Sequence, residues 1–287
     1  EENNAMEVRE THIAVEGVRA PVLQTGPPGD EEAIVFVHGN PGSSRDWGDL
    51  LARAGSFARA VAPDMPGFGH ADKPGGFEYT VQGYARFLAG ALDSLGIRRA
   101  HLVLHDFGGP WGLAWAAANP DALASVVLVN TGVLIGYRWH YLARIWRAPL
   151  LGELFQLTAT LPAFRMLLRH GNPGGLPRAF VERMYRDYDR GTKRAVLRLY
   201  RATSAGALEA PLPAMRELDP PALVVWGGHD PYLRLEQAER QRQAFPSAEV
   251  KVLDDSGHWP FADDPDRVAD LIVPFLQRHT RVAAQRS

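Results

Sequence analysis

The chain contains no cysteine, which removes disulfides, thiolate metal sites and cysteine nucleophiles together and is compatible with a reducing, cytoplasmic location. Long apolar runs are absent too: Leu113–Ala118 and Val126–Val129 are among the longest, far short of the ~20 residues that span a bilayer. Charge of one sign is also scarce. Lys plus Arg number 31 against 33 Asp plus Glu, a net −2, so no long-range field gathers nucleic acid or an anionic membrane. The expected partners are a small molecule and water, and composition leaves the oligomeric state open. His70, His101, His105, His140 and His229 are scattered without metal-ligand spacing such as HExxH, so no metal site is expected. HGNPG lacks the Lys and the spacing of a P-loop, and no GxGxxG follows a strand, so no cofactor is implied. The leading EENNAM has neither the basic nor the apolar region of a signal peptide, and its Asn-Ala-Met reads as a cloning remnant before a native Met6.

What is present is an ordinary globular composition: 46% apolar and 22% charged residues over 287 positions, enough for one large domain or two modest ones. Short apolar runs alternate with longer amphipathic stretches, the signature of an α/β protein. Strands are expected near 7–15, 19–24, 34–37, 58–62, 101–105, 125–130, 222–226 and 250–253. The first two read as an antiparallel hairpin edge. AIVFV, HLVLH, SVVLVN and ALVVW are nearly continuous apolar runs, as in parallel strands covered on both faces. Stretches 80–95, 111–119, 235–244 and 265–278 read as the covering helices. Between Asn130 and Ala222 no comparable strand appears, while 141–168 and 177–202 carry helical spacing. A helical insertion over 131–215 therefore interrupts a core made of 7–130 and 216–282.

The most informative segment is HLVLHDFGGPWG, His101–Gly112: an apolar strand, a tight turn and a helix with Pro110 in its first turn, where a missing N–H costs nothing. Asp106 occupies the position at which a strand-turn-helix elbow presents a nucleophile. The plain alternative for Asp106 is a helix N-cap. Gly108 and Gly109 let the helix pack close behind the turn, whereas Leu104 stands where a small residue is usual. HGNPGSSRDW follows the AIVFV strand, bringing the Asn40 N–H beside the turn as one oxyanion donor, with the Phe107 N–H as the other. WGGHDPYL places Asp230 just beyond a strand end, and DSGHWPF places His258 in the loop after the last strand. Nucleophile, acid, histidine is the chain order of the α/β-hydrolases.

With these motifs and with DMPGFGHADKP, Asp64–Pro74, the chain resembles the α/β-hydrolase superfamily in the branch that holds epoxide hydrolases and haloalkane dehalogenases. The resemblance covers nearly the whole chain. It implies a mostly parallel eight-stranded sheet with helices on both faces and an inserted helical cap. An Asp nucleophile also points to the carbon attacked. A hydroxyl attacking sp³ carbon leaves an ether that water cannot open, whereas a carboxylate leaves an ester whose carbonyl belongs to the enzyme. His258, oriented by Asp230, can then drive water onto that carbonyl. Epoxides and alkyl halides are favoured over ordinary esters.

An epoxide leaves as an alkoxide that wants a proton, and a halide leaves as an anion that wants N–H donors. Epoxide hydrolases of this branch use cap tyrosines, the second in a Tyr-Arg pair about thirty residues before the acid. Tyr200, followed by Arg201, matches. The resemblance puts the first near Phe155 and Gln156, where no Tyr stands, leaving Tyr137 or Tyr141, each equally compatible with helix packing. For dehalogenation, the Asn40 side chain offers one donor, but Phe107 replaces the Trp that the family carries after the nucleophile. Trp139 or Trp146 is the substitute, unless both are core. His38 is a further candidate for the substrate pocket. Arg138, Arg144, Arg147, Arg165 and Arg169 either meet an acidic substrate or form a solvated helix face. The expected activity is epoxide hydrolysis, with dehalogenation as the alternative. A binding protein without turnover would be marked by loss of Asp106 or His258, and both are present.

Overall fold

The computed structural model describes residues 7–280. Asn4, Ala5 and Met6 of the leading segment, and positions 281–282 at the expected end of the core, lie outside the described residues. The strands are β1 Arg9–Val15, β2 Val18–Thr25, β3 Glu32–Val37, β4 Ala60–Pro63, β5 Arg99–His105, β6 Leu123–Val129, β7 Ala222–Gly227 and β8 Glu249–Leu253. They form one eight-stranded sheet in the order β1-β2-β4-β3-β5-β6-β7-β8. β2 is antiparallel to both β1 and β4, and all other neighbours are parallel. Every expected strand is present. β5, β6 and β7 are buried along almost their whole length, which is why they read as unbroken apolar runs rather than alternating ones.

Helices α1 Gly48–Gly55, α2 Val81–Ser94 and α3 Gly108–Ala118 come before β6. Between β6 and β7 lie α4 Tyr141–Arg147, α5 Leu151–Leu157, α6 Leu161–Gly171, α7 Arg178–Asp187, α8 Arg190–Ala202, α9 Ala205–Glu209 and α10 Leu212–Leu218. α11 Glu236–Arg240, α12 Pro260–Asp263 and α13 Pro265–His279 complete the chain. Period alone did not reveal α1 or α12, and it merged α4 to α6 into one stretch. The breaks follow local chemistry: α4 stops before Pro149, and α6 restarts with Pro162 in its first turn, where proline is tolerated. α10 runs across the expected 215/216 boundary.

Side chains alternate across β5 and place helices on both faces. Leu104 meets Gly112 of α3, where an added Cβ would lie 2.5 Å from Leu104 Cδ2. His105 points the other way, with its ring 6.4 Å from Trp47 and 4.9 Å from Phe261. The bulk of Leu104, unusual before such a turn, is thus matched by a glycine on the facing helix. α7 is clamped to the core by Arg183, which donates to Asp46 at 2.8 Å and Ser43 at 3.2 Å. Among the described residues, no helix is long and apolar enough to cross a membrane.

Candidate active site

β5 ends at His105 and α3 begins at Gly108, so Asp106 and Phe107 alone make the turn. Asp106 is held at φ +48°, a left-handed conformation that costs a non-glycine residue ~1–2 kcal/mol. Close packing enforces it. A Cβ at Gly108 would sit 2.3 Å from the Val37 carbonyl oxygen, one at Gly109 2.0 Å from Thr131 Oγ1, and one at Gly39 2.3 Å from Asp106 Cβ. Thr131 Oγ1 also donates to the Asp106 carbonyl at 2.5 Å. The carboxylate does not cap the helix: the cap position is Phe107, and no side chain bonds there. Instead Asp106 Oδ1 accepts the Asn40 N–H at 2.7 Å, and Oδ2 lies 3.5 Å from His258 Nε2. The Phe107 amide, at the helix start, has no carbonyl within the helix to bond.

Asp230 follows β7 and uses both oxygens. Oδ1 accepts the N–H groups of Tyr232 and Leu233 at 2.8 and 3.0 Å. Oδ2 accepts from Asn130 Nδ2 at 2.8 Å and lies 2.6 Å from His258 Nδ1. Four donors fix this one carboxylate, which in turn orients the imidazole, with Nδ1 donating and Nε2 turned to Asp106. Burial by itself would discharge His258, but the flanking Asp230 and Asp106 carboxylates raise its pKa. Burial likewise opposes the Asp106 charge, and the hydrogen bond and charge of His258 overcome it, helped by the Asn40 N–H, so its pKa falls. The site therefore holds a ready carboxylate beside an oriented imidazole. Asn130 is a site residue that motif reading overlooked. It sits at φ +44° after β6 and also accepts the Gly227 N–H at 2.9 Å. An Asn directly after a buried strand, at a left-handed turn, is the signal that marks it.

His38 is not a pocket residue, which corrects the sequence expectation. It is fully buried, its Nδ1–H donates to the Gly39 carbonyl at 2.9 Å, and Nε2 accepts the Met65 N–H at 2.9 Å. Both nitrogens are used to hold the loop that presents Asn40. Asp64 does similar work from the DMPGFGHADKP loop, accepting the N–H groups of Ser44 and His70, each at 2.7 Å.

Above the turn lies a cavity of about 530 Å³ whose lining includes Asn40, Asp106, Tyr200, His258, Trp146 and Tyr232. Tyr200 is buried between Trp146 and Phe107, with ring centres 4.8 and 5.1 Å away. Its hydroxyl accepts from Asn40 Nδ2 at 3.3 Å, which leaves the phenol proton free to donate. Burial, reinforced by the Asp106 charge, raises its pKa well above the ordinary value, so the phenol stays protonated. Arg147 donates to the carbonyls of Tyr200 and Thr203, the latter at 2.7 Å. Arg201 donates to Glu153 at 2.7 and 2.8 Å and to the Trp146 carbonyl at 3.2 Å. These arginines are struts that fix α8 against α4 and α5. None of Arg138, Arg144, Arg147, Arg165 and Arg169 lines the cavity, so the acidic-substrate reading has no support there.

The remaining cap candidates separate. Trp146 lines the large cavity, and its indole N–H is buried without a hydrogen-bond partner. Tyr141 lines it at the rim, 46% exposed. Tyr137 and Trp139 line only a side chamber of about 20 Å³, and Trp139 carries the Arg147 guanidinium 4.9 Å over its ring. The expectation that these two line the main pocket is corrected: the chain turns into α4 just after them and sets both rings beside it. Phe155 and Gln156 do line the main cavity. His140, set aside in the sequence as unrelated to metal binding, borders both chambers.

His105 contributes a pH dependence. It is fully buried, and its Nε2–H donates to the His258 carbonyl at 2.8 Å. Burial, then the charge of His258, push its pKa down to about 3. Below the ordinary histidine value of about 6.5 the unfolded chain takes up a proton that the native one refuses. Stability is thus present above that pH and lost as pH falls toward about 3, by up to ~1.4 kcal/mol per unit. The thermal midpoint is expected to drop between about pH 6.5 and 5, and His105→Gln, which keeps a donor, to make that drop shallower. An unchanged slope would assign the effect to other groups.

Similar proteins agree with this architecture. Haloalkane dehalogenase 2 of Mycobacterium tuberculosis is 29% identical over 276 residues, covering 87% of each chain. A cis-3-alkyl-4-alkyloxetan-2-one decarboxylase of Xanthomonas campestris is 29% identical over 291 residues, covering 92% of this chain and 94% of its own. The epoxide hydrolase VrEH1 from Vigna radiata superposes with a TM-score of 0.78 at 18% identity, over 95% of this chain and 98% of its own. The model of the alpha/beta hydrolase fold family matches residues 32–265, a span that runs from β3 to the start of α13 and takes in Asn40, Asp106, Asp230 and His258. The chain belongs to the alpha/beta hydrolase fold family.

Proposed function

We propose that this hydrolase opens epoxides to vicinal diols through an alkyl-enzyme ester on Asp106, with 7–130 and 216–282 as the core and 131–215 as the cap. An Asp106 oxygen attacks one epoxide carbon, the C–O bond breaks, and its electron pair goes to the oxygen, which takes the Tyr200 proton. Esterification removes the Asp106 charge, and with it one of the two carboxylates that keep His258 charged, so Nε2 gives up its proton, which restores the Tyr200 phenol, and becomes a base toward water. Water adds to the ester carbonyl, passing one proton to Nε2, while the Asn40 and Phe107 N–H groups hold the oxyanion. The diol leaves carrying the other water proton, and Asp106 returns as a carboxylate beside a recharged His258. The substrate is small and apolar, in keeping with a cavity walled by aromatic and aliphatic side chains, and no cofactor takes part.

The observation that carries this reading is Tyr200: a buried phenol with a free proton, bonded to the same Asn40 whose N–H touches the Asp106 carboxylate. The Vigna neighbour is named an epoxide hydrolase, and the name of the Xanthomonas relative describes action on another strained oxygen ring. Tyr200→Phe is the test. Epoxide turnover is expected to fall by about 10²-fold, with any bromoalkane turnover nearly unchanged, because bromide needs no proton. Equal losses on both substrates would count against the acid role.

Dehalogenation on the same triad is the second reading, favoured by the unpartnered Trp146 indole N–H in the cavity wall. That N–H and Asn40 Nδ2 would hold the halide, in line with the relative named haloalkane dehalogenase.

A further inference from the structure

We infer that the outer face of α5 and α6 docks on an anionic lipid bilayer, with the mouth of the cavity turned toward the lipid. The balanced total charge, which by itself gathers no membrane, conceals a segregated distribution. Residues 141–202, from α4 through α8, hold 12 Lys and Arg against 4 Asp and Glu, a net +8, and the rest of the chain carries a net −10. This end of the molecule therefore presents a positive field that the sum over the chain hides.

Apolar exposure is concentrated in the same place. Of the eight large apolar side chains exposed among the described residues, six lie between Tyr141 and Met166. Leu151, Leu154 and Leu157 recur at steps of three along α5 and so share one side of it, and Leu150, at the start of the helix, is exposed with them. Leu157 stands between the cavity-lining Gln156 and Thr158 yet is 80% exposed, and Met166 of α6 lines the cavity while 73% exposed. The unpartnered leucines thus reach the rim of the cavity that holds Asp106.

A membrane surface is the occupant that fits both features, since leucines enter the headgroup boundary while arginines meet the lipid phosphates. On α6 Arg165 and Arg169 flank Met166, and with Arg178 they line a cleft of about 330 Å³. Glu182 pairs with Arg165 at 2.8 Å and Arg178 at 2.7 Å, and Arg169 has no acidic partner among the described residues. Three guanidinium groups thus share one carboxylate, which leaves room for a phosphate. Glu153, the one acid from 150 to 171, is already paired with Arg201 at 2.7 Å. A second copy fits less well: two-fold contact through this face would set one net +8 against another, and contact with the negative remainder of another chain would not close on itself. The docking stands without the epoxide reading. What it adds to that reading is a source for an apolar substrate, dissolved in the lipid at the cavity mouth.

The test is co-sedimentation of the full chain with vesicles of phosphatidylcholine alone and of phosphatidylcholine mixed equally with phosphatidylglycerol, at low salt and at about 0.5 M NaCl. Binding to the mixed vesicles is expected to be at least ~10-fold tighter than to the neutral ones and to weaken by a similar factor at high salt. The double variant Leu154→Gln, Leu157→Gln, which keeps good helix formers on α5, should bind about 10-fold more weakly. Arg169→Gln should cost about 5-fold, and a thermal midpoint equal to the parent's shows that the fold of each variant is intact. Equal binding to both vesicle types, or binding to neither, overturns the inference. So does full binding by the leucine variant, which would leave only diffuse charge. Self-association of the parent in sedimentation velocity, lost in the leucine variant and accompanied by no vesicle binding, would assign the face to a second copy instead. Failure of the epoxide reading looks different: His258→Ala gives no epoxide adduct on Asp106, while vesicle binding is unchanged.

Discussion

His258→Ala is expected to turn a cycling enzyme into one that reacts once. The first half-reaction needs the Asp106 carboxylate and a proton donor, and the carboxylate keeps the Asn40 N–H at 2.7 Å in the variant. The second half-reaction needs a base 3.5 Å from Asp106, and nothing else bonded to that carboxylate replaces Nε2. Steady-state turnover should fall by ~10³-fold to 10⁴-fold, while a stoichiometric adduct builds up. Intact mass after exposure to mixed aryl and alkyl epoxides and bromoalkanes reads the chemistry directly. A gain of a whole epoxide on a peptide containing Asp106 supports ring opening. A gain of an alkyl group without its halogen supports dehalogenation instead, and absence of any adduct would remove Asp106 from its role.

Asp106→Gly should produce the largest loss of activity together with only a small change in stability. Without the carboxylate no ester forms, so turnover is expected to drop to background, ~10⁴-fold or more below the parent. The same change relieves the left-handed strain at φ +48°, but it also loses the His258 pairing that holds the Asp106 pKa below its ordinary value. Relief of about 1 kcal/mol, set against that lost pairing and the extra freedom glycine gives the unfolded chain, predicts a thermal midpoint lowered by no more than ~4 °C. A midpoint lowered by ~10 °C or more would mean that the side chain serves the fold, as a helix cap does, rather than the reaction. The carboxylate makes no capping bond, so that outcome would require a structural role that its hydrogen bonds do not suggest.

Much of the site is legible in the sequence because its parts are local. The turn at Asp106 is written in HDFGGP, where glycines stand wherever an added Cβ would strike Val37 or Thr131. Asp230 follows a strand that is one unbroken apolar run and His258 follows the last, alternating strand, and parallel strands bring such loops to one edge of a sheet. Asn130 was missed for the opposite reason: an Asn after a strand is common, and only its bonds to Asp230 and Gly227 make it part of the site. His38 was misjudged because its neighbours in sequence are site residues, while its ring turns inward to Met65.

By itself, then, the sequence determined the sheet, the elbow and the order of carboxylate, acid and histidine. These depend on hydrophobic period, on glycine at crowded turns and on chain order, all of which are properties of contiguous residues, whereas Tyr200 in its Tyr-Arg pair was marked only by the resemblance to epoxide hydrolases. Only the tertiary structure decided which side chains between β6 and β7 border the main cavity: Trp146 and His140 do, while Trp139 and Tyr137 stop at the side chamber. The physical reason is that a helix presents most of its circumference to some neighbour. Which face meets the cavity is set by struts such as Arg147 and Arg201, whose partners lie about fifty residues away along the chain.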